Sequence, residues 1–174
     1  MTDAEFAQLE AELFDDYPLP LQGLHGARHW RRVDRFGRLL ALHTDADLEV
    51  VRRFALFHDS QRYNDEKDPG HGERAAHRAR QFCADELNPE QMQLLWLACS
   101  EHERGLTSED PTVGTCWDAD RLDIDRKGKL PWMSLMSTPL GSQVAQMEAE
   151  ERLQWAGLDP WARKPKGLFR DSQS

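Results

Sequence analysis

Four separate stretches with helical spacing place a histidine or an aspartate on the face that should be buried. His29, Val33, Phe36 and Leu40 are spaced i, i+4, i+7, i+11. Val51, Phe54, Ala55 and His58 are spaced i, i+3, i+4, i+7. Leu95, Ala98 and His102 share a third stripe, and Val113, Cys116, Trp117, Asp120 and Ile124 a fourth. A polar group facing a core costs several kcal/mol, roughly, unless it is paired or ligated. The chain must therefore fold so that these positions serve one another. Any single histidine here is most simply a satisfied core residue. Several such positions, with Asp59 beside His58 and His71 after the next loop, are hard to explain without metal.

No segment alternates polar and apolar residues as a half-buried strand does, and no internal repeat is present. The expected fold is all-α, a single compact domain of about six to seven helices spanning 1–174. Its core is expected over about 21–125, with a C-terminal extension over 126–174. Thr2 or Asp3 caps a first helix to about Asp16, with Phe6, Leu9 and Leu13 as its apolar stripe. The segment Tyr17-Pro18-Leu19-Pro20 stops it. A second helix runs from about Ala27 to His43. Asp45 or Asp47 caps a third, reaching about His58. Ser60 to Gly70 reads as a long polar loop. A fourth helix covers about Gly72 to Leu87. Asn88-Pro89 starts a fifth, reaching about Glu103. Pro111 opens a sixth, to about Asp125. Gly128 to Gly141 reads as irregular, Gln143 to Ala156 as a last helix, and the tail WARKPKGLFRDSQS as extended or frayed.

At 174 residues the chain can bury a real core without staples. Its net charge of -9 disfavours nonspecific binding to nucleic acid or anionic membrane. No apolar run approaches the ~20 residues that a membrane span needs. The N-terminal stretch is acidic and lacks the apolar core of a signal peptide. Cys83, Cys99 and Cys116 have no metal-binding spacing and read as buried thiols of a reducing compartment. A cytoplasmic location is expected.

Neutral imidazole with carboxylate suits divalent ions such as Mn, Fe, Co, Ni or Zn. The acidic run Asp118, Asp120, Asp123, Asp125 leaves the choice among its members open from spacing alone. His77 lies off its helix's apolar stripe and His43 follows a helix end, so both are expected in solvent.

The texts HGARHWRRV, FHDSQRYNDEKDPGHGERAA and DADRLD resemble segments of small bacterial members of the HD-domain superfamily. That superfamily comprises all-helical, metal-dependent phosphohydrolases, and the resemblance covers about residues 21–125. It implies that His29, His58, Asp59 and Asp120 hold a first divalent metal. His71 and His102 match the extra pair of members with a second metal, which Asp59 would bridge. One or two ions per chain are expected, drawn from Mn, Fe, Ni, Co, Zn or Mg. The implied reaction is hydrolysis of a small phosphate ester or nucleotide by a metal-activated water.

Asp59 is then both ligand and part of the network that orients the water. Arg62, three positions later, could grip a phosphate in bidentate fashion; its rival reading is a surface pair with Asp65 or Glu66. Glu73, in the first turn of the fourth helix, is a candidate general base, although acids also sit there for the helix dipole. His25 is a candidate substrate contact. The series Arg28, Arg31, Arg32, Arg35 and Arg38 reads mainly as a solvated face balanced by the acidic first helix. Two other functions stay open: a dinuclear-iron oxygenase of the HD type, and a non-catalytic binding module with a structural metal. The apolar Leu130-Pro131-Trp132-Met133 stretch would cover the site or bury itself in a dimer contact.

Overall fold

The structure, a computed structural model, describes residues 1–158. Among these residues eight α-helices follow one another: α1 (Asp3–Phe14), α2 (Ala27–Ala41), α3 (Leu48–Phe57), α4 (His71–Phe82), α5 (Pro89–Glu101), α6 (Pro111–Leu122), α7 (Pro139–Ala145) and α8 (Ala149–Trp155). Short 3-10 turns at His102–Arg104, Ile124–Lys127 and Met133–Leu135 join some of them. No strand occurs among the described residues. The all-α expectation therefore holds.

Helix α3 is the axis of the molecule. Every residue from Val50 to Phe57 is buried, and α3 packs against α1, α2, α4, α5 and α6. A helix apolar on one face only could not be surrounded in this way. Its two buried arginines are neutralised by neighbours. Arg52 Nε lies 2.9 Å from Asp34 Oδ1 on α2, and Arg53 pairs with Glu49 and Glu86. The remaining helices close the bundle, α2 against α3 and α6, and α4 against α5.

The helix starts follow their caps. The Thr2 hydroxyl accepts from Glu5 N while the Glu5 carboxylate reaches back to Thr2 N. Asp47, rather than Asp45, caps α3. Asn88 and Gln91 form the same reciprocal box ahead of Pro89 in α5, and Asp110 caps α6 ahead of Pro111. Two of the α2 arginines behave as the sequence suggested, Arg31 pairing with Glu10 and Arg38 with Asp3, both on α1; Arg32 departs from that reading, being buried against Asp123, and Arg35 Nε donates to the Ala156 carbonyl.

The helix ends differ more. Helix α1 stops at Phe14, two residues short of Asp16, and α2 at Ala41 rather than His43. Helix α4 stops at Phe82, and Cys83 turns the chain so that its carbonyl accepts from both Glu86 N and Leu87 N. Helices α5 and α6 each tighten into a 3-10 turn that ends at a glycine with positive φ, Gly105 at 70° and Gly128 at 68°. The expected last helix is two helices, and α7 begins at Pro139, inside the region read as irregular. Thr138 caps it, its hydroxyl accepting from Gly141 N. The turn at Gln146, Met147 and Glu148 separates α7 from α8. The buried carboxylate of Asp118 anchors this region from α6, accepting from Ser137 N, Thr138 N and the Thr138 hydroxyl. The tail from Trp161 onward lies outside the described residues.

Candidate metal centre

The six residues implied as ligands are brought together from five places in the fold. His29 projects from the first turn of α2. His58 is the C-cap residue of α3, still in helical conformation, and Asp59 follows it. Because the chain keeps helical geometry there, the two adjacent side chains leave the end of α3 roughly one hundred degrees apart and reach neighbouring positions. Gly70, with φ of 86°, turns the chain into α4, so that His71 is its first residue. His102 opens the 3-10 turn after α5. Asp120 lies in the last turn of α6.

Two sub-clusters result, His29 with His58 and Asp120, and Asp59 with His71 and His102. In the first, the Nε2 atoms of His29 and His58 are 3.0 Å apart, and His29 Nε2 lies 3.3 Å from Asp120 Oδ1. In the second, the Nε2 atoms of His71 and His102 are also 3.0 Å apart. The two carboxylate oxygens of Asp59 face different ways. Oδ2 is 3.4 Å from His29 Nε2 and 3.5 Å from His58 Nε2, while Oδ1 is 3.2 Å from His71 Nε2 and 3.8 Å from His102 Nε2.

The outer nitrogens of the four imidazoles are all engaged. His29 Nδ1 meets Asp123 Oδ2 at 2.9 Å, and His102 Nδ1 meets the Cys99 carbonyl at 2.7 Å. His58 Nδ1 meets the carbonyls of Phe54 and Ala55, and His71 Nδ1 that of Asp68 at 2.7 Å. Those oxygens only accept, so each Nδ1 donates its proton and each Nε2 turns a lone pair inward. Two lone pairs 3.0 Å apart repel unless a cation or a proton lies between them. The spacing suits an ion: nitrogens about 2.0–2.1 Å from one metal sit about 3 Å apart in octahedral geometry and somewhat farther apart in tetrahedral geometry. Outer partners of this kind are what hold metal-binding histidines in place. The donor set and its spacing thus fit one or two divalent ions.

Without an ion, protons and charges settle the cluster. Burial and the Arg126 charge oppose protonation of His29, yet hydrogen bonds to Asp120, Asp123 and Asp59 raise its pKa to about 9. Burial lowers that of His58. Burial works against the charged form of Asp59, but His58 and the surrounding imidazoles hold its carboxyl well below the usual range. Asp120 behaves likewise, with the His29 hydrogen bond as the chief opposing influence. With its side chain 19 % exposed, Asp120 is the most open of the six, so the cluster comes nearest to solvent there.

Two guanidiniums flank the cluster. Arg62 is buried, held by the carbonyls of Asn64 and Glu66, with Nη1 3.4 Å from Asp59 Oδ1 and 3.0 Å from His71 Nε2. It is no surface partner of the Asp65 or Glu66 side chains. Sequence reading missed Arg126. It comes from the 3-10 turn after α6, with Nη2 3.7 Å from Asp120 Oδ1 and 4.0 Å from Asp59 Oδ2. Asp123 was also missed as a named participant: it is buried, holds His29 Nδ1, and lies 2.7 Å from Arg32 Nη2. The first few residues after a metal-site aspartate, here DRLDIDR, were the signal that could have found both.

The structure does not bring Glu73 to the cluster. It points into solvent from the first turn of α4, where it complements the helix dipole. His43 and His77 are exposed as expected, His77 packing edge-on against Trp96. His25 is buried near the cluster, its ring centroid 6.4 Å from that of His29. A cavity of about 520 Å³ opens beside His29, walled also by Arg28, Asp65, Asp123 and Arg126. Leu130, Trp132 and Met133 are exposed, and Leu130 and Trp132 line a cleft with Arg121 and Ile124.

A family model described as HD domain matches residues 26–128, more than half of the chain. The chain belongs to the HD-domain family, a superfamily of metal-dependent phosphohydrolases. No curated protein and no solved structure matches it.

Proposed function

We propose that this protein is a metal-dependent phosphohydrolase acting on a small phosphate ester or nucleotide. The observation that carries the reading is the pair of imidazole contacts, each with two inward lone pairs 3.0 Å apart, bridged by the two oxygens of Asp59. His29, His58, Asp59 and Asp120 would hold one divalent ion, and Asp59, His71 and His102 a second. When bound, such ions bring the pKa of water toward neutrality and polarise a phosphoryl oxygen.

The remaining work falls to the chain. Asp59 holds the two halves of the site in register and accepts hydrogen bonds from whatever lies between them. Arg62 donates to the same His71 lone pair that a metal would use. Were His71 to hold an ion, Nη1 would lose that acceptor and be available to an anion, while Nε and Nη2 are tied to the loop. Arg126 approaches from the Asp120 side. A phosphoryl group lying between these two guanidiniums would be held in a defined orientation. Two cations at the cluster favour an anionic ester over oxygen chemistry, and the exposure of Asp120 favours catalysis over a closed structural metal.

The partner in this reading is a small phosphorylated molecule, with neither nucleic acid nor membrane involved. No helix among the described residues is long and apolar enough to cross a membrane. The three cysteines are buried and unpaired, which suits the reducing cytoplasm. The test is hydrolysis of p-nitrophenyl phosphate and of a nucleotide panel after loading with Mn, Fe, Co, Ni, Zn or Mg. Asp59→Ala is expected to lose both the metal and the activity. Hydrolysis that survives this substitution, or no hydrolysis with any ion, would refute the reading.

A further inference from the structure

Of the seven histidines, four belong to the cluster and two are exposed; His25 is the one left over. It lies in the turn ahead of α2, four residues before His29, and its backbone carbonyl accepts from the Tyr17 hydroxyl at 2.8 Å. Its side chain is 0 % exposed. Nδ1 lies 2.7 Å from Asp65 Oδ1. A carboxylate only accepts, so Nδ1 carries the ring proton and Nε2 presents a lone pair on the far side of the ring from Asp65. That Nε2 is buried and has no hydrogen-bond partner among the described residues. Buried acceptors are almost always matched, so an unmatched one beside a site calls for a ligand.

The surroundings say which ligand. The ring stands edge-on to that of His29, and the charges of Asp59, Arg62 and Lys127 all act on it. Asp65 and His29, the two side chains next to the ring, line the cavity of about 520 Å³, and His25 lies behind that wall rather than in it. A fully ionised phosphoryl oxygen has no proton to give and would meet a lone pair there. The guanidiniums of Arg62 and Arg126 are the matching groups for it. We propose that His25 is a fixed hydrogen-bond acceptor of the site, and that its ligand is an O–H donor, either a water or an alcohol hydroxyl of the substrate. Asp65 is the positioning residue that sets the tautomer. The inference rests on the phosphohydrolase reading and divides the site by chemistry: phosphoryl oxygens to the arginines, the hydroxyl to His25.

Two substitutions separate acceptor from tether. His25→Asn keeps a donor at the Nδ1 position for Asp65 and removes the Nε2 acceptor. His25→Gln keeps an acceptor at the Nε2 position and removes the donor. Metal content is expected to be unchanged in both. The Asn variant should lose about tenfold in kcat/KM, as for one hydrogen bond, with most of the activity restored in the Gln variant. If the donor is water, kcat falls alike on p-nitrophenyl phosphate and ribose 5-phosphate. If it is a substrate hydroxyl, KM rises on ribose 5-phosphate alone. Full activity in the Asn variant, or equal losses in both variants, would overturn the proposal. Nitrogen-15 spectra of the zinc-loaded protein provide a readout independent of turnover, the His25 signals being assigned by their loss in the Asn variant. A pyridine-type Nε2 supports the proposal and a pyrrole-type Nε2 overturns it, even if no ester is hydrolysed.

Discussion

Asp123 shows how much of a metal site lies behind the ligands. It touches no prospective metal position, yet its carboxylate decides which nitrogen of His29 faces inward. Replacing it with Ala should weaken metal binding to the His29 half about 10- to 100-fold, the usual cost of losing such a partner. Isothermal titration of the metal-free variant would measure this; an unchanged affinity would mean that packing alone orients the ring. His29 also links the site to pH. Its pKa in the metal-free fold is raised from 6.5 to about 9, so the folded state holds a proton that the unfolded chain releases earlier. That contribution to stability is fully present below about 6.5 and is lost as pH rises through about 9. The melting temperature of the metal-free protein should fall across that window. Metal must displace the same proton, so affinity should rise across it. A flat profile for both quantities would contradict this account of His29. At this scale the sequence showed the six prospective ligands through their stripes and the family resemblance. It hid Arg126 and Asp123, because the 3-10 turn at Ile124–Lys127 departs from the 3.6-residue period used to read it. It also made Glu73 look available, since a first-turn acid has the same appearance whether it serves a dipole or a reaction.

Helices rather than loops supply most of the site, and their close approach is a sequence property. Gly72, one residue after His71, lets α4 lie directly against the end of α5. A Cβ there would sit 2.5 Å from the Cys99 carbonyl oxygen and 3.1 Å from His102 Nδ1. The carbonyl is backbone and cannot swing away. Gly72→Ala should therefore push α4 from α5 and separate His71 from His102, loosening the second ion and leaving the His29, His58 and Asp120 half intact. Metal titration would show one tight equivalent in place of two; two tight equivalents would mean that α5 yields without cost. Helix starts were legible because Thr2, Asp47, Asn88 and Asp110 are chemical caps. Helix ends were less so. Nothing in Gln143–Ala156 marks the break between α7 and α8, since Gln146, Met147 and Glu148 are all tolerable helix residues and their turn reflects tertiary packing. Asp118 is a related case. It stood in the acidic run as a rival to Asp120, and its role in anchoring Ser137 and Thr138 depends on a segment with no readable period of its own.

For the molecule as a whole, a chain of net charge -9 gathers four imidazoles and two guanidiniums around two carboxylates at its centre. The surrounding helices make that possible, with α3 buried from Val50 to Phe57 and its end aimed into the cluster. Asp59 stands between two groups of side chains that would each hold an ion. Elemental mass spectrometry of the purified protein after loading with Mn, Fe, Ni or Zn, with His58→Ala and His102→Ala alongside, tests it most directly. Two equivalents per chain are expected in the wild type and about one in each variant, because each substitution removes a ligand from a different half. A single equivalent in the wild type, lost in the His58 variant and kept in the His102 variant, would contradict the bridge and leave His102 outside the metal site; no metal under any loading condition would contradict the centre altogether.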